Sequence, residues 1–172
     1  MTELLHAWAL APAAIGTCCL AADRRRVRAP ELAASLIMLV AMTDAAFTAA
    51  VPRVFWAVLL LVAAMALAAF RGARRRPTLH ADAAMTLHST SGLVVMAALL
   101  TAMAAGGHTA AAATGHVHGA SPSLLTVVVT AAVLAYAAVS TAATVRSRRW
   151  LDRAQYAGMG ASALAMGVAA LL

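Results

Sequence analysis

The sequence contains no lysine and few charged residues of either sign. Of its 172 residues, 11% are charged and 63% are hydrophobic, and all 13 basic residues are arginine. A soluble protein usually carries about 25% charged and about 45–50% apolar residues. The composition therefore predicts a polytopic membrane protein. The absence of lysine excludes a Schiff base with retinal or pyridoxal, a P-loop and a lysine general base.

The sequence also lacks the motifs of common hydrolases, because it has no HExxH and no nucleophile elbow, and Asp44 is the only carboxylate well inside an apolar run. His6 and His88 lie near opposite ends of their runs, so haem held by two histidines is not expected. Only two cysteines occur, and a disulfide between the adjacent Cys18 and Cys19 is geometrically implausible. We expect both to be buried and reduced. These absences favour a protein without catalytic activity.

The apolar residues fall into six long runs. A helix rises about 1.5 Å per residue and the hydrocarbon core is about 30 Å thick, so a crossing takes roughly 20 residues. The runs cover residues 4–22, 31–50, 54–70, 84–105, 124–145 and 156–172. We predict an all-α fold, in which residues 1–172 form a single transmembrane helical bundle with six spans.

The arginines indicate how the bundle is oriented. With six spans, twelve of the 13 arginines lie on one side, in segments 24–28, 71–76 and 146–153, and Arg53 lies on the other. Short basic loops stay in the cytoplasm, so both termini are predicted outside a plasma membrane. The charge of +7 follows from this topology, and we expect no nucleic-acid partner.

Three spans followed by three of opposite direction would fit an inverted repeat. The halves share no matching residues, which favours six helices without internal symmetry.

One stripe of soft side chains follows the fourth run. Met85, His88, Met96 and Met103 project within about 80° of one another at 100° per residue. Thioether and imidazole groups are copper ligands. His88 and Met96 are about 12 Å apart along the axis, so they cannot bind the same ion. They could only be successive binding sites for a metal ion that moves along the helix. The alternative is that the methionines fill packing gaps and that His88 bonds a backbone carbonyl or a nearby hydroxyl such as that of Ser89.

The second run carries Met38 and Met42 on one face and Asp44 on another. A carboxylate inside a membrane is by default a functional candidate. Asp44 is also close enough to the end of its run to be hydrated, to cap a helix or to pair with Arg53. Both interpretations stay open from the sequence.

Half of the six histidines lie between the fourth and fifth runs. His116 and His118 would point to the same side of an extended segment, and with His108 they offer three imidazoles to Cu(II) or Zn. His6 is a possible fourth. The alternative is that these histidines are simply solvated. The full predicted metal set, outer and intramembrane, is His6, Met42, Asp44, His88, Met96, Met103, His108, His116 and His118.

The order of these features resembles a family of small polytopic actinobacterial membrane proteins of unknown function. The resemblance rests on the basic segment 24–28 before Glu31 and the Met38/Met42 helix, and on the later basic segments around the His88/Met96 helix. It implies residence in the plasma membrane and no particular activity.

Three functions remain from the sequence. The first is an accessory or structural subunit of a larger membrane complex, because small residues such as Gly158 and Ser162 allow helices to approach closely. The second is binding and handling of copper, with zinc as the alternative metal and no other cofactor. The third is transport of a small solute or lipid. The expected partners are the lipid bilayer and either a second copy of the chain or another membrane protein.

Overall fold

The computed structural model describes residues 2–22, 29–73, 80–108 and 122–171, with side chains at 8–22, 29–70, 84–105 and 124–171. These residues form six α-helices, which confirms the predicted all-α fold. The helices are α1 Thr2–Ala22, α2 Ala29–Thr43, α3 Arg53–Ala73, α4 His80–His108, α5 Pro122–Arg146 and α6 Trp150–Leu171, and a π-helical turn, Asp44–Thr48, extends α2.

Four segments within the described residues are long and apolar enough to cross a membrane. They are Ala29–Thr48, Arg53–Phe70, Ala84–Ala105 and Leu124–Arg146, and α1 contributes a shorter apolar segment, Trp8–Ala22. The structure is thus compatible with a helical membrane protein. Six crossings and the positions of the termini stay predictions.

Glycines on α6 let three helices approach closely. A Cβ at Gly158 would lie 2.5 Å from the carbonyl oxygen of Pro12 on α1, and one at Gly160 would lie 2.7 Å from Cβ of Ser140 on α5. Small residues at such crossings allow close backbone packing between membrane helices. This contact is the packing role expected for Gly158, and it makes α6 a central element of the bundle.

The outer surface of the bundle is apolar. On α3, which packs mainly on α4, the exposed large side chains are Val54, Phe55, Val58, Leu61, Val62, Met65 and Phe70. A surface of this kind suits contact with lipid chains. Cys18 is exposed and Cys19 only partly buried, so the expectation that both are buried was wrong; Cys18 lies on the outward face of α1.

The helices alternate in direction, which gives the bundle two chemically different ends. Gly16 lies near Gln155 while Gly158 lies near Pro12, so α1 and α6 are antiparallel. We call the end where α1, α3 and α5 finish and α2, α4 and α6 begin the arginine-rich end, because the basic segments of the sequence adjoin it. The other is called the opposite end.

Candidate functional site

Asp44 is the centre of a polar site at the opposite end of the bundle. Its carboxylate accepts hydrogen bonds from Trp56 Nε1 at 2.7 Å, from the backbone N–H groups of Ala50 at 3.0 Å and Val51 at 3.2 Å, and from Thr48 Oγ1. Its own carbonyl accepts the N–H of Ala49, a residue in the left-handed conformation with φ 44°. We call this arrangement the capped aspartate.

The capped aspartate explains why the chain turns here. Beyond the π-helical turn the chain is no longer helical, so the N–H groups of Ala50 and Val51 have no helical partner and need another acceptor. Asp44 supplies both of its oxygens to these groups and to the first turn of α3. Arg53, the ion-pair partner considered from the sequence, instead donates to the carbonyl oxygen of Met103 at 3.3 Å. Asp44 therefore joins α2 to α3, and its oxygens are occupied by protein donors.

The structure brings few of the predicted metal ligands together. Among the residues that it describes, no three His, Cys, Asp or Glu side chains are close enough to share an ion. The side chains of His6 and His108 lie outside the described set, as do His116 and His118 altogether. The outer histidine loop therefore stays a prediction.

The predicted methionine ligands lie in the apolar core or at its margin. Met42 and Met96 are almost completely buried, and Met103 packs against the same core. The sulfur of Met42 lies 3.7 Å from Ser162 Oγ on α6. These positions fit the alternative in which methionine fills gaps between helices.

A second polar site surrounds His88 near the arginine-rich end. The His88 ring stacks on Tyr136 of α5 with ring centroids 4.8 Å apart, and the edge of Tyr156 of α6 approaches it at 4.7 Å. Tyr136 Oη and His88 Nε2 are hydrogen-bonded at 3.0 Å. Gln155, which is 2% exposed, directly precedes Tyr156 on α6. We call His88, Tyr136, Tyr156 and Gln155 the histidine cluster.

Gly92 makes room for this arrangement. It lies one turn beyond His88 on α4, and a Cβ there would lie 2.7 Å from Tyr136 Oη. The phenol can therefore pass over the helix backbone to reach the imidazole. The partner suggested from the sequence, Ser89, does not bond to His88, because the ring faces α5 and α6 instead.

The histidine cluster is incompletely bonded. Within the described part of the chain, His88 Nδ1 and Gln155 Nε2 are buried and have no hydrogen-bond partner. A buried donor or acceptor left without a partner costs about 1–3 kcal/mol. Native structures contain few such groups, and each calls for an explanation such as a bound water or a functional role.

Sequence reasoning identified His88 but missed its neighbours. Tyr136, Gln155 and Tyr156 belong to no recognisable sequence motif. Glu31, at the start of α2, is 6% exposed and accepts a bond from Thr86 Oγ1 at 2.9 Å. The sequence did contain one signal for these neighbours, because polar residues occur at the arginine-rich ends of α2, α4, α5 and α6.

No family model, curated protein or solved structure matches the chain. The resemblance to actinobacterial membrane proteins therefore stays a prediction, and function has to be argued from the two polar sites.

Proposed function

We propose that the protein is a multi-pass membrane protein that binds a small polar solute inside its helical bundle and passes it across the membrane. The observation that carries this proposal is the pair of unpartnered polar atoms in the histidine cluster, His88 Nδ1 and Gln155 Nε2. In an apolar protein such atoms are costly to retain, and a polar solute that bonds to them would remove that cost.

The cluster has the features of a recognition site. His88 is held on two sides by aromatic rings, so its orientation is fixed before a solute arrives. If Tyr136 Oη donates to Nε2, the neutral ring carries its proton on Nδ1, which is then a second buried donor in addition to Gln155 Nε2. Two donors on fixed elements suit a carbonyl or hydroxyl oxygen of a small uncharged solute.

Water access gives the first test. In a background with Cys18→Ser and Cys19→Ser, Gln155→Cys should react with a small hydrophilic thiol reagent in the folded protein. Ala163→Cys is the matched control, because Ala163 is 4% exposed on the same helix but lies in the apolar core. Equal, negligible labelling of both positions would show that the cluster is closed to polar molecules.

Solute uptake gives the second test. Proteoliposomes should swell faster than empty vesicles in isosmotic urea, glycerol or glycine, as followed by light scattering, and Gln155→Met should abolish the difference. If no solute enters faster with the wild-type protein than with the variant, the transport part of the proposal fails.

The accessory-subunit role and copper handling stay predictions from the sequence, as do the plasma-membrane location and the cytoplasmic arginine loops. Elemental analysis of protein purified from copper- and zinc-supplemented cells tests metal handling. About one copper per chain, lost when His108, His116 and His118 are replaced by Ala, would favour it. A membrane protein that co-purifies in stoichiometric amount, without metal, would favour the accessory role.

A further inference from the structure

Another polar group lies between α2 and α4. Both helices begin at the arginine-rich end, so they run in parallel, and they contact each other. The carboxylate of Glu31 on α2 accepts a hydrogen bond from Thr86 Oγ1 on α4 at 2.9 Å. Glu31 is 6% exposed, which places an acidic group inside the packed bundle.

Two serines lie one helical turn farther along the same helices. Ser35 is about 6 Å beyond Glu31 on α2, and Ser89 about 4.5 Å beyond Thr86 on α4. At 100° per residue, each serine projects within about 60° of its neighbour. Because the helices are parallel and Glu31 bonds Thr86, the serines share a similar depth.

The hydroxyls of Ser35 and Ser89 differ from most other hydroxyls in the described part of the protein. Ser35 Oγ and Ser89 Oγ are buried, with 2% and 5% of the residue exposed, and neither has a hydrogen-bond partner in the described structure. Most hydroxyls here instead donate to a carbonyl of the preceding turn, as in Thr17, Thr43, Thr90, Thr101, Ser140, Thr141, Thr144 and Ser147. Ser35 and Ser89 leave their oxygens free for another partner.

We propose that Glu31, Ser35, Thr86 and Ser89 bind a small alkali-metal cation, with Na⁺ as the best fit. Hard cations prefer oxygen ligands, and this group supplies one carboxylate and three hydroxyl oxygens. A single positive charge neutralises the buried carboxylate, whereas a divalent ion would leave an uncompensated charge in an apolar bundle. The site is separate from the solute site proposed above and does not depend on it.

The test measures binding of ²²Na⁺ to the purified full-length protein in detergent, together with thermal unfolding in NaCl and in choline chloride at equal ionic strength. Wild-type protein should bind sodium saturably and unfold at a higher temperature in NaCl. Glu31→Gln should abolish both effects. Ser35→Ala and Ser89→Ala should each weaken sodium affinity roughly tenfold, the equivalent of one lost ligand bond.

Controls keep this proposal separate from the solute proposal. Gln155→Met should bind sodium as the wild type does, even where solute uptake is lost. If Glu31→Gln does not fold, the Ser35→Ala/Ser89→Ala double variant removes two ligands and keeps the charge. Absence of saturable ²²Na⁺ binding overturns the proposal, as does unchanged binding in the double variant. Stabilisation that follows pH but not sodium would assign a proton, not a metal ion, to Glu31.

Discussion

The capped aspartate and the histidine cluster are both polar sites within apolar helices, but they are bonded to very different extents. Asp44 receives four donors on its two carboxylate oxygens, and three of them come from the turn that it organises. In the described structure His88 has one hydrogen-bond partner, Tyr136, and neither its Nδ1 nor Gln155 Nε2 has one. The first site completes the bonding of a chain turn, whereas the second leaves polar atoms for something outside the protein.

This difference separates stability from function. A fully bonded polar group in a bundle holds elements in place, so its removal should damage the fold. An incompletely bonded group contributes little to folding, and its replacement by an apolar residue of similar shape can be neutral or stabilising. Substitutions at the capped aspartate should therefore lower stability. Substitutions in the histidine cluster should reduce solute uptake without lowering stability.

The largest effect is expected from Asp44→Ala. It leaves Trp56 Nε1 and the N–H groups of Ala50 and Val51 without their acceptor, and it removes the link between α2 and α3. We expect the apparent Tm in mild detergent, followed by circular dichroism, to fall by roughly 10 °C. Asp44→Asn, which retains one acceptor oxygen, should lie between this variant and the wild type. A Tm unchanged in Asp44→Ala would show that the cap is not what holds the turn.

A smaller loss is expected from Trp56→Phe. The ring is retained, but the hydrogen bond from Nε1 to the Asp44 carboxylate is lost, which should lower the free energy of unfolding by about 2 kcal/mol. The matched control is Trp150→Phe, because Trp150 is 71% exposed and should tolerate the change. Urea unfolding in detergent measures both. Equal losses in the two variants would mean that the indole bond adds nothing specific.

The sequence predicted the architecture better than the sites. Helix number and position follow from the lengths of the apolar runs, which are a property of the local chain. Asp44 was recognised as a carboxylate inside a run, but its partners depend on a π-helical turn that no periodicity indicates. Arg53 was the nearest opposite charge in the sequence, yet the backbone N–H groups of the turn donate to the carboxylate instead.

The histidine cluster is a second site whose contacts could not be predicted from the sequence. His88 was recognisable as an isolated imidazole, and the methionines on its face suggested a metal path. The actual contacts come from Tyr136, 48 positions away, and from Tyr156 on α6. Such pairings are set by which helices pack together, which short-range spacing does not specify. The purpose of Gly92 became clear only from the approach of the Tyr136 hydroxyl.

A gain in stability is expected from Gln155→Met. The substitution replaces an unpartnered buried amide with an apolar chain of similar length, so the free energy of unfolding should rise by about 1 kcal/mol. Solute uptake should be lost in the same variant. Chemical unfolding and vesicle swelling, measured on one preparation, check both parts. A stability loss would instead mean that the amide is bonded in the folded protein, and the cluster would then resemble the capped aspartate.

The smallest stability effect is expected from Gly92→Ala, which tests shape and leaves every polar group in place. The added Cβ displaces the Tyr136 hydroxyl and weakens its bond to His88 Nε2, at a cost of about 1 kcal/mol. Alanine recovers a similar amount, about 0.8–1.0 kcal/mol, through its higher helix propensity. The free energy of unfolding should therefore stay nearly constant while solute uptake falls, because His88 loses the partner that orients it. Normal uptake in Gly92→Ala would show that the Tyr136–His88 bond is dispensable for the solute, and that Gln155 alone carries recognition.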